Sequence, residues 1–240
     1  MITYQHQDFT ILHYTKLDST NKQAIELLQQ NIISDKAVIV ADTQQAGIGK
    51  SNRHWHSPYG NLYCSIVLQV EQNQHRLTQL ALITAVALGN YINKLQNNIV
   101  LHYKWPNDVL LSHKKVAGIL LNSTNLWQNY QAVIIGIGVN INSHPTAVSF
   151  AATDLRSNGI NIDCQQFLCG FLSDFYLLYQ NWLNFGFTNI KKLWLAKAYC
   201  LGQEIAIKNN ISGIFVGIDD DGNINIKGDK NNIKIASCDW

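Results

Sequence analysis

Two apolar runs, residues 37–41 and 62–68, bracket a stretch too polar to fill a core: TQQAGIGKSNRHWHSPYGN, residues 43–61. The runs read as strands, so the stretch between them is a loop held at both ends. It carries Gly47 and Gly49, the cationic or potentially cationic Lys50, Arg53 and His54, and Trp55. Glycines let backbone N–H groups approach a ligand, and lysine and arginine supply charge for phosphate or carboxylate. The rest of the chain is expected to hold a loop that closes over an anion.

Two familiar phosphate-binding patterns do not fit. Gly49-Lys50-Ser51 looks like the end of a P-loop, but Gln44 stands where its first glycine belongs, and no helix pattern follows the serine. The run VIIGIG at 133–138 resembles the start of a dinucleotide fingerprint, but Ile141 occupies the third glycine position.

At 240 residues and 47% hydrophobic, the chain can bury a real core as one large domain or one plus a small appendage. A net charge of +2 argues against bulk nucleic-acid binding, so the anion site must be local. Five cysteines without CxxC or Cys/His ligand spacing fit free thiols in a reducing cytoplasm. The beginning, MITYQHQD, lacks a basic and an apolar region, so no signal peptide is expected, and no apolar run is long enough for a membrane.

Along the chain, residues 10–17 read as a strand, and DSTN at 18–21 as capping residues before a helix bearing Ala24, Ile25, Leu27 and Leu28. Residues 76–95 form a buried helix. Strands follow at 100–103, 109–111, 116–121 and 131–140, the last apolar on both faces and hence central. KWPND, residues 104–108, is a turn, and 112–115 joins a hairpin. Helices are expected at 163–185 and 190–199. From residue 201 the texture changes to short alternating strands at 204–208, 213–217, 223–227 and 233–235 with Asn/Gly/Asp turns. The run DDDG at 219–222 is read as a hairpin turn, because Gly217 and Gly228 would occupy the outer positions of a calcium loop. The fold class is therefore α+β, with one domain over 1–200 and a small β-barrel over 201–240 packed on it.

Residues 19–21, 44–55, 104–108 and 114–118, with Asn140 and Asn142, place donors and cations at strand ends. No nucleophile elbow, carboxylate pair or metal cage is present. Such an inventory suits chemistry that neutralises phosphate or carboxylate and aligns two reactants, such as activation of a carboxylate by ATP. The residues alone give an anion-handling α+β enzyme.

The stretch 44–58 resembles the GRGRxGRxWxSP ligand loop of biotin–protein ligases. KWPND at 104–108, KVAGIL at 115–120, GIGVN at 136–140 and DSTN at 18–21 are similar to further motifs of that family, in the same order. The resemblance spans residues ~11–155 and implies a mixed-sheet catalytic domain of the biotin/lipoate ligase type with a C-terminal SH3-like barrel. It implies formation of biotinyl-5′-AMP from biotin and ATP, then transfer to a lysine of a carboxylase's biotin carrier domain. By position, biotin would meet Ser19, Thr20, Asn21, Gln44, Gly47, Ile48, Gly49, Lys50, Trp55, Lys115 and Gly118. ATP would meet Lys50, Arg53, Lys104, Asn107 and Asn140. Lys115 and Arg53 would be catalytic, and Asp108 would lie on the Mg²⁺ side. For Trp105 and Pro106, packing is the preferred reading.

Departures accompany the likeness. Ile48 and Lys50 replace two arginines of the loop and Asn52 a glycine. No room precedes residue 10 for the DNA-binding domain that some members carry, so no DNA partner is expected; without a long apolar run no membrane partner is expected either, and a homodimer is left open. The competing readings are a lipoate or octanoyl ligase or transferase of the same fold group, and a non-catalytic biotin-binding module.

Overall fold

The computed structural model describes residues 1–71, 77–127, 130–146, 148, 150–207, 211–228 and 232–236. Arg76, Lys208 and Cys238 of the expectations above lie outside them. An eight-stranded mixed sheet runs in the order β1 (Ile2–His6), β2 (Phe9–Leu17), β3 (Ala37–Gln44), β4 (Leu62–Glu71), β8 (Tyr130–Val139), β7 (Lys114–Trp127), β6 (Asp108–Leu111) and β5 (Leu101–Lys104). Among the described strands only β2 and β3 pair parallel, joined by the crossover helix α1 (Thr20–Gln29). The loop at 45–61 thus connects two neighbouring antiparallel strands, β3 and β4.

Strand β8 lies between β4 and β7. Val133, Ile135, Ile137 and Val139 join the core on one face, while Ala132 and Ile134 join a smaller cluster under α1 on the other. Apolar side chains on both faces therefore mark a strand covered on both sides. The larger core is closed by α2 (Leu77–Leu95), α3 (Cys164–Phe185) and α4 (Thr188–Leu195). Leu80, Leu82, Ile83, Leu88 and Ile92 of α2 are fully buried, each such side chain contributing about 1.5–3 kcal/mol relative to exposure. Asp163 caps α3 by accepting from Gln166 N.

Helix α4 stops at Leu195 rather than running to residue 199 as the sequence suggested. The reason is pairing: Tyr103 N donates to Lys197 O and Tyr199 N to Tyr103 O, so residues 197–199 leave the helix to cover the outer edge of β5.

The C-terminal strands β9 (Glu204–Ile207), β10 (Ile211–Ile218), β11 (Ile224–Lys227) and β12 (Asn232–Ile235) form a four-stranded antiparallel sheet, consistent with the expected SH3-like barrel. It packs on the larger unit through Phe215, whose ring meets Trp194 edge-on at 6.4 Å, and through Gln79 Nε2, which donates to Asp220 O at 2.5 Å. The DDDG stretch is the β10–β11 turn: Asp219 Oδ1 accepts from the backbone N–H of Asp221 and Asn223.

Candidate active site

A cavity of about 370 Å³ opens on the face of the sheet that carries α1. The sheet brings to it residues from five separate stretches. β3 ends at Gln44, the loop supplies Ile48, Gly49, Lys50, Arg53, His54 and Trp55, and the β5–β6 turn supplies Lys104, Asn107 and Asp108. β7 supplies Lys115 and Gly118, and β8 supplies Gly136 and Gly138.

Ser19, Thr20 and Asn21 line one end. Ser19 occupies the N-cap position of α1 with extended backbone, but its side chain makes no cap bond. Gln44 caps the helix instead, its Oε1 accepting from Thr20 N at 2.8 Å. Simple capping by Ser19 is therefore corrected, because a neighbouring strand already satisfies that end of the helix. Gln44 Nε2 donates to Ser57 Oγ at 3.0 Å, and Ser57 Oγ donates to Trp55 O at 2.8 Å, which ties the wall to the loop.

The loop folds on itself. Gly49 N donates to Arg53 O, Trp55 N to Gly47 O, and Arg53 Nε to Lys50 O at 3.2 Å, around a short 3₁₀ turn at Lys50–Asn52. Ser51 and Asn52 both stand at φ 57, in the left-handed region. Asparagine tolerates this conformation better than most side chains, so Asn52 can occupy a position where the resembled loop has glycine.

Trp55 leaves the loop to lie over the sheet. A Cβ at Gly138 would fall inside its indole, and one at Gly118 would press on both the indole and the Lys115 side chain. These glycines let a flat ring lie against backbone. Lys115 Nζ sits 5.2 Å from the Trp55 ring centroid, 5.4 Å from that of Phe150, and 2.6 Å from Asp108 Oδ1. The backbone of Lys115 is held as well: its N–H donates to Ala151 O, and its carbonyl accepts from Thr153 N. The ammonium thus projects into the cavity from a fixed strand position, paired with the sole carboxylate among the described lining residues.

Two of the expected residues lie outside the cavity lining, and a third lines it while also bracing the sheet. Gly47 lies behind the wall, where a side chain would strike Trp55 O and Ser57 Oγ. Asn140 is buried outside the cavity lining and donates from Nδ2 to Thr153 O at 3.0 Å, fastening β8 to the segment that clamps Lys115. Asn107 reaches the cavity but also spans to β7, exchanging bonds with Ile119 O and N. Trp105 is buried, and its Nε1 donates to Gly222 O at 2.9 Å, in keeping with the packing reading. Sequence reasoning missed Ser57, Ser65, Asn122 and Phe150. For Ser65 there was a signal, since it is the one serine in an otherwise apolar and aromatic run at 62–68.

Residues 14–140 match the model of the Biotin/lipoate A/B protein ligase family. The chain belongs to that family. Among this ligase family's curated members, it is 37% identical over 224 residues to a biotin–[acetyl-CoA-carboxylase] ligase of Paracoccus denitrificans, covering 89% of this chain and 92% of that one. It is 33% identical to the bifunctional ligase/repressor BirA of Bacillus subtilis, covering 95% of this chain and 73% of the relative. Among solved structures, the biotin protein ligase from Aquifex aeolicus in complex with biotin and ATP superposes with a TM-score of 0.80 at 27% identity, covering 94% of each chain. Among the described residues no helix is long and apolar enough to cross a membrane, and no three His, Cys, Asp or Glu side chains group to hold a metal.

Proposed function

We propose that this ligase joins biotin to ATP as biotinyl-5′-AMP and then acylates a lysine of a biotin carrier domain. The observation that carries this reading is the convergence, on one cavity, of the Lys115 ammonium with the polar Thr20–Gln44 wall and the Lys50–Arg53 loop. The biotin carboxylate oxygen attacks the α-phosphorus, the bond to the β-phosphate oxygen breaks, and pyrophosphate leaves. The carrier amine then attacks the acyl carbon, AMP departs with the bonding pair, and the amine's proton is lost to solvent. Both substrates are anions, so fixed cations lower the barrier to bringing them together.

In this reading Ser19, Thr20 and Gln44 hold the ring system of biotin and Trp55 covers it. Lys115 faces the carboxylate and α-phosphate, and Arg53 and Lys50 hold phosphate. Lys104 and Asn107 flank the nucleotide. Asn140 and Gly47 act from behind, through Thr153 and Trp55. Mg²⁺ fits as a companion of the triphosphate, because the cavity offers Asp108 as its carboxylate and magnesium commonly takes one or two carboxylates plus substrate phosphates. The division into 1–200 and 201–240, a carboxylase carrier as acceptor, and a cytoplasmic setting for the free thiols of Cys64, Cys164, Cys169 and Cys200 belong to the same proposal.

Exchange of labelled pyrophosphate into ATP tests it. Exchange that requires biotin supports the reading. Exchange with lipoate but not biotin favours the sister activity, and biotin binding without exchange would reduce the protein to a binding module.

A further inference from the structure

Beneath Thr20 a polar chain runs through Asn21 to Ser65 and Asn122, two residues to which no role is assigned above. Ser65 on β4 is fully buried, in register with Ile39 on one neighbouring strand and Gly136 on the other. Its Oγ lies 2.8 Å from Thr20 Oγ1 and also contacts Asn21 Oδ1. The Asn21 amide occupies the space that a Gly136 side chain would need, and its Nδ2 donates to Asn122 Oδ1 at 2.9 Å, on the exposed side of β7.

Counting protons gives this chain a direction. An amide oxygen only accepts, and a hydroxyl has one proton. With Asn21 Nδ2 committed to Asn122, its Oδ1 faces Ser65 and takes the Ser65 proton. The proton between Ser65 and Thr20 must then be that of Thr20. The alternative acceptor, Gln44 Oε1, stands farther off at 3.3 Å from Thr20 Oγ1, whereas the 2.8 Å contact between Ser65 and Thr20 needs a proton that Ser65 has already given to Asn21. The hydroxyl of Thr20 therefore turns its proton into the wall and its free lone pair into the cavity.

We propose that Ser65, with Asn21 oriented by Asn122, is a positioning residue that fixes Thr20 as a hydrogen-bond acceptor and so selects a ligand with an N–H at that point. The inference rests on the biotin reading, since the ureido ring of biotin presents such N–H groups. A ligand ring without an N–H would leave a buried lone pair unpaired, which is how a polar wall rejects an isostere.

The test is steady-state pyrophosphate exchange with biotin and ATP varied separately in the full chain. Ser65→Ala removes the inward acceptor and frees the Thr20 proton to point at the ligand. We expect KM for biotin to rise about 10-fold, as for loss of one hydrogen bond, with KM for ATP and kcat within about 2-fold. Asn122→Leu lets the Asn21 amide turn and should raise KM for biotin about 3-fold, whereas Asn122→Asp keeps the acceptor and should restore it. An unchanged KM for biotin in Ser65→Ala, or an equal rise in both KM values, overturns the inference while leaving the biotin reading intact. Absence of biotin-dependent exchange in the unmodified protein overturns both.

Discussion

Lys115 Nζ and Asp108 Oδ1 lie 2.6 Å apart across the β6–β7 pair, next to the bulge between Val109 and Leu110. The bulge matters because it shifts the register, setting Asp108 opposite Gly118 and Leu110 opposite Lys115. Both charged groups are at least four-fifths buried, at 17% and 20% exposure, so the pair holds its geometry before any substrate arrives.

Lys115→Ala should remove the ammonium from the point where negative charge gathers. Adenylate formation is expected to fall about 10²–10³-fold, roughly 3–4 kcal/mol, while the protein remains folded. Exchange kinetics together with a melting curve check this; exchange near the unmodified rate would remove Lys115 from its assigned role.

Gly138→Ala should place a methyl inside the Trp55 indole and push the ring off the sheet. Gly186→Ala has open space around it and carries only the strain of φ 75. The first variant is expected to weaken biotin binding at least 10-fold, and the second to lower the melting temperature without changing binding. Calorimetric titration of both with biotin separates the effects, and equal binding by the two would contradict the placement of Trp55.

Within the loop, Lys50→Gly removes a cavity-lining cation and adds backbone freedom. The acyl-adenylate should then escape sooner and label lysines on bystander proteins, visible on an avidin blot. Limited proteolysis should cut the loop less when biotin and ATP are present. Asn52→Val tests the left-handed turn itself, since a β-branched residue at φ 57 costs about 1–2 kcal/mol and should spoil the loop, while Asn52→Gly should not. Wild-type labelling specificity in both Lys50→Gly and Asn52→Val would mean that the loop is not a lid.

Asp154 gives a pH dependence. Burial pushes its carboxyl upward, but hydrogen bonds from His144 and from the Ser157 backbone and hydroxyl outweigh that and hold it below the ordinary 3.8. A folded value below the unfolded one stabilises the fold fully above pH 3.8, and this is lost as the pH falls through the folded value. Asp154→Asn should therefore melt lower than the unmodified protein at neutral pH, with the gap closing in acid. A gap that stays constant from neutral pH into acid would refute the linkage. Because the Asp154 carboxylate accepts from Ser157 N and Ser157 Oγ, one residue beyond the Thr153 that pairs with Lys115, the variant should also loosen the segment that clamps Lys115.

Deleting residues 202–240 strips the cover from Trp105 and Trp194 and should cost activity as well as stability. A truncated chain that melts and exchanges normally would show the small sheet to be dispensable.

Strands with apolar alternation or continuous apolar runs were legible, as were the buried helix α2 and the motifs at strand ends. Strand β1 was not, because it lies at the sheet's outer edge with Ile2 67% exposed, so burial imposes no alternation on it. β7 continues to Trp127, beyond the expected residue 121, since NSTN at 122–125 is polar and only its pairing with β8 marks it as strand. The cavity's charged residues were readable because their types are unusual at strand ends. The groups behind them were not, because Ser65 and Asn122 act through partners far away in sequence, and no local pattern encodes which strands will be neighbours.

Trp105 stands in the β5–β6 turn beside the cavity and Gly222 in the β10–β11 turn, joined by one hydrogen bond. A side chain at Gly222 would crowd Leu82 and Thr78 of α2, at 3.0 and 3.2 Å. The C-terminal sheet is consequently a poor unit for recombination between relatives. A chimaera that swaps it inherits one half of a fitted pair, and its success depends on whether the donor's turn brings a bare carbonyl to the same indole. Residues 105 and 222 are thus expected to be inherited together, across a sequence gap longer than many small domains.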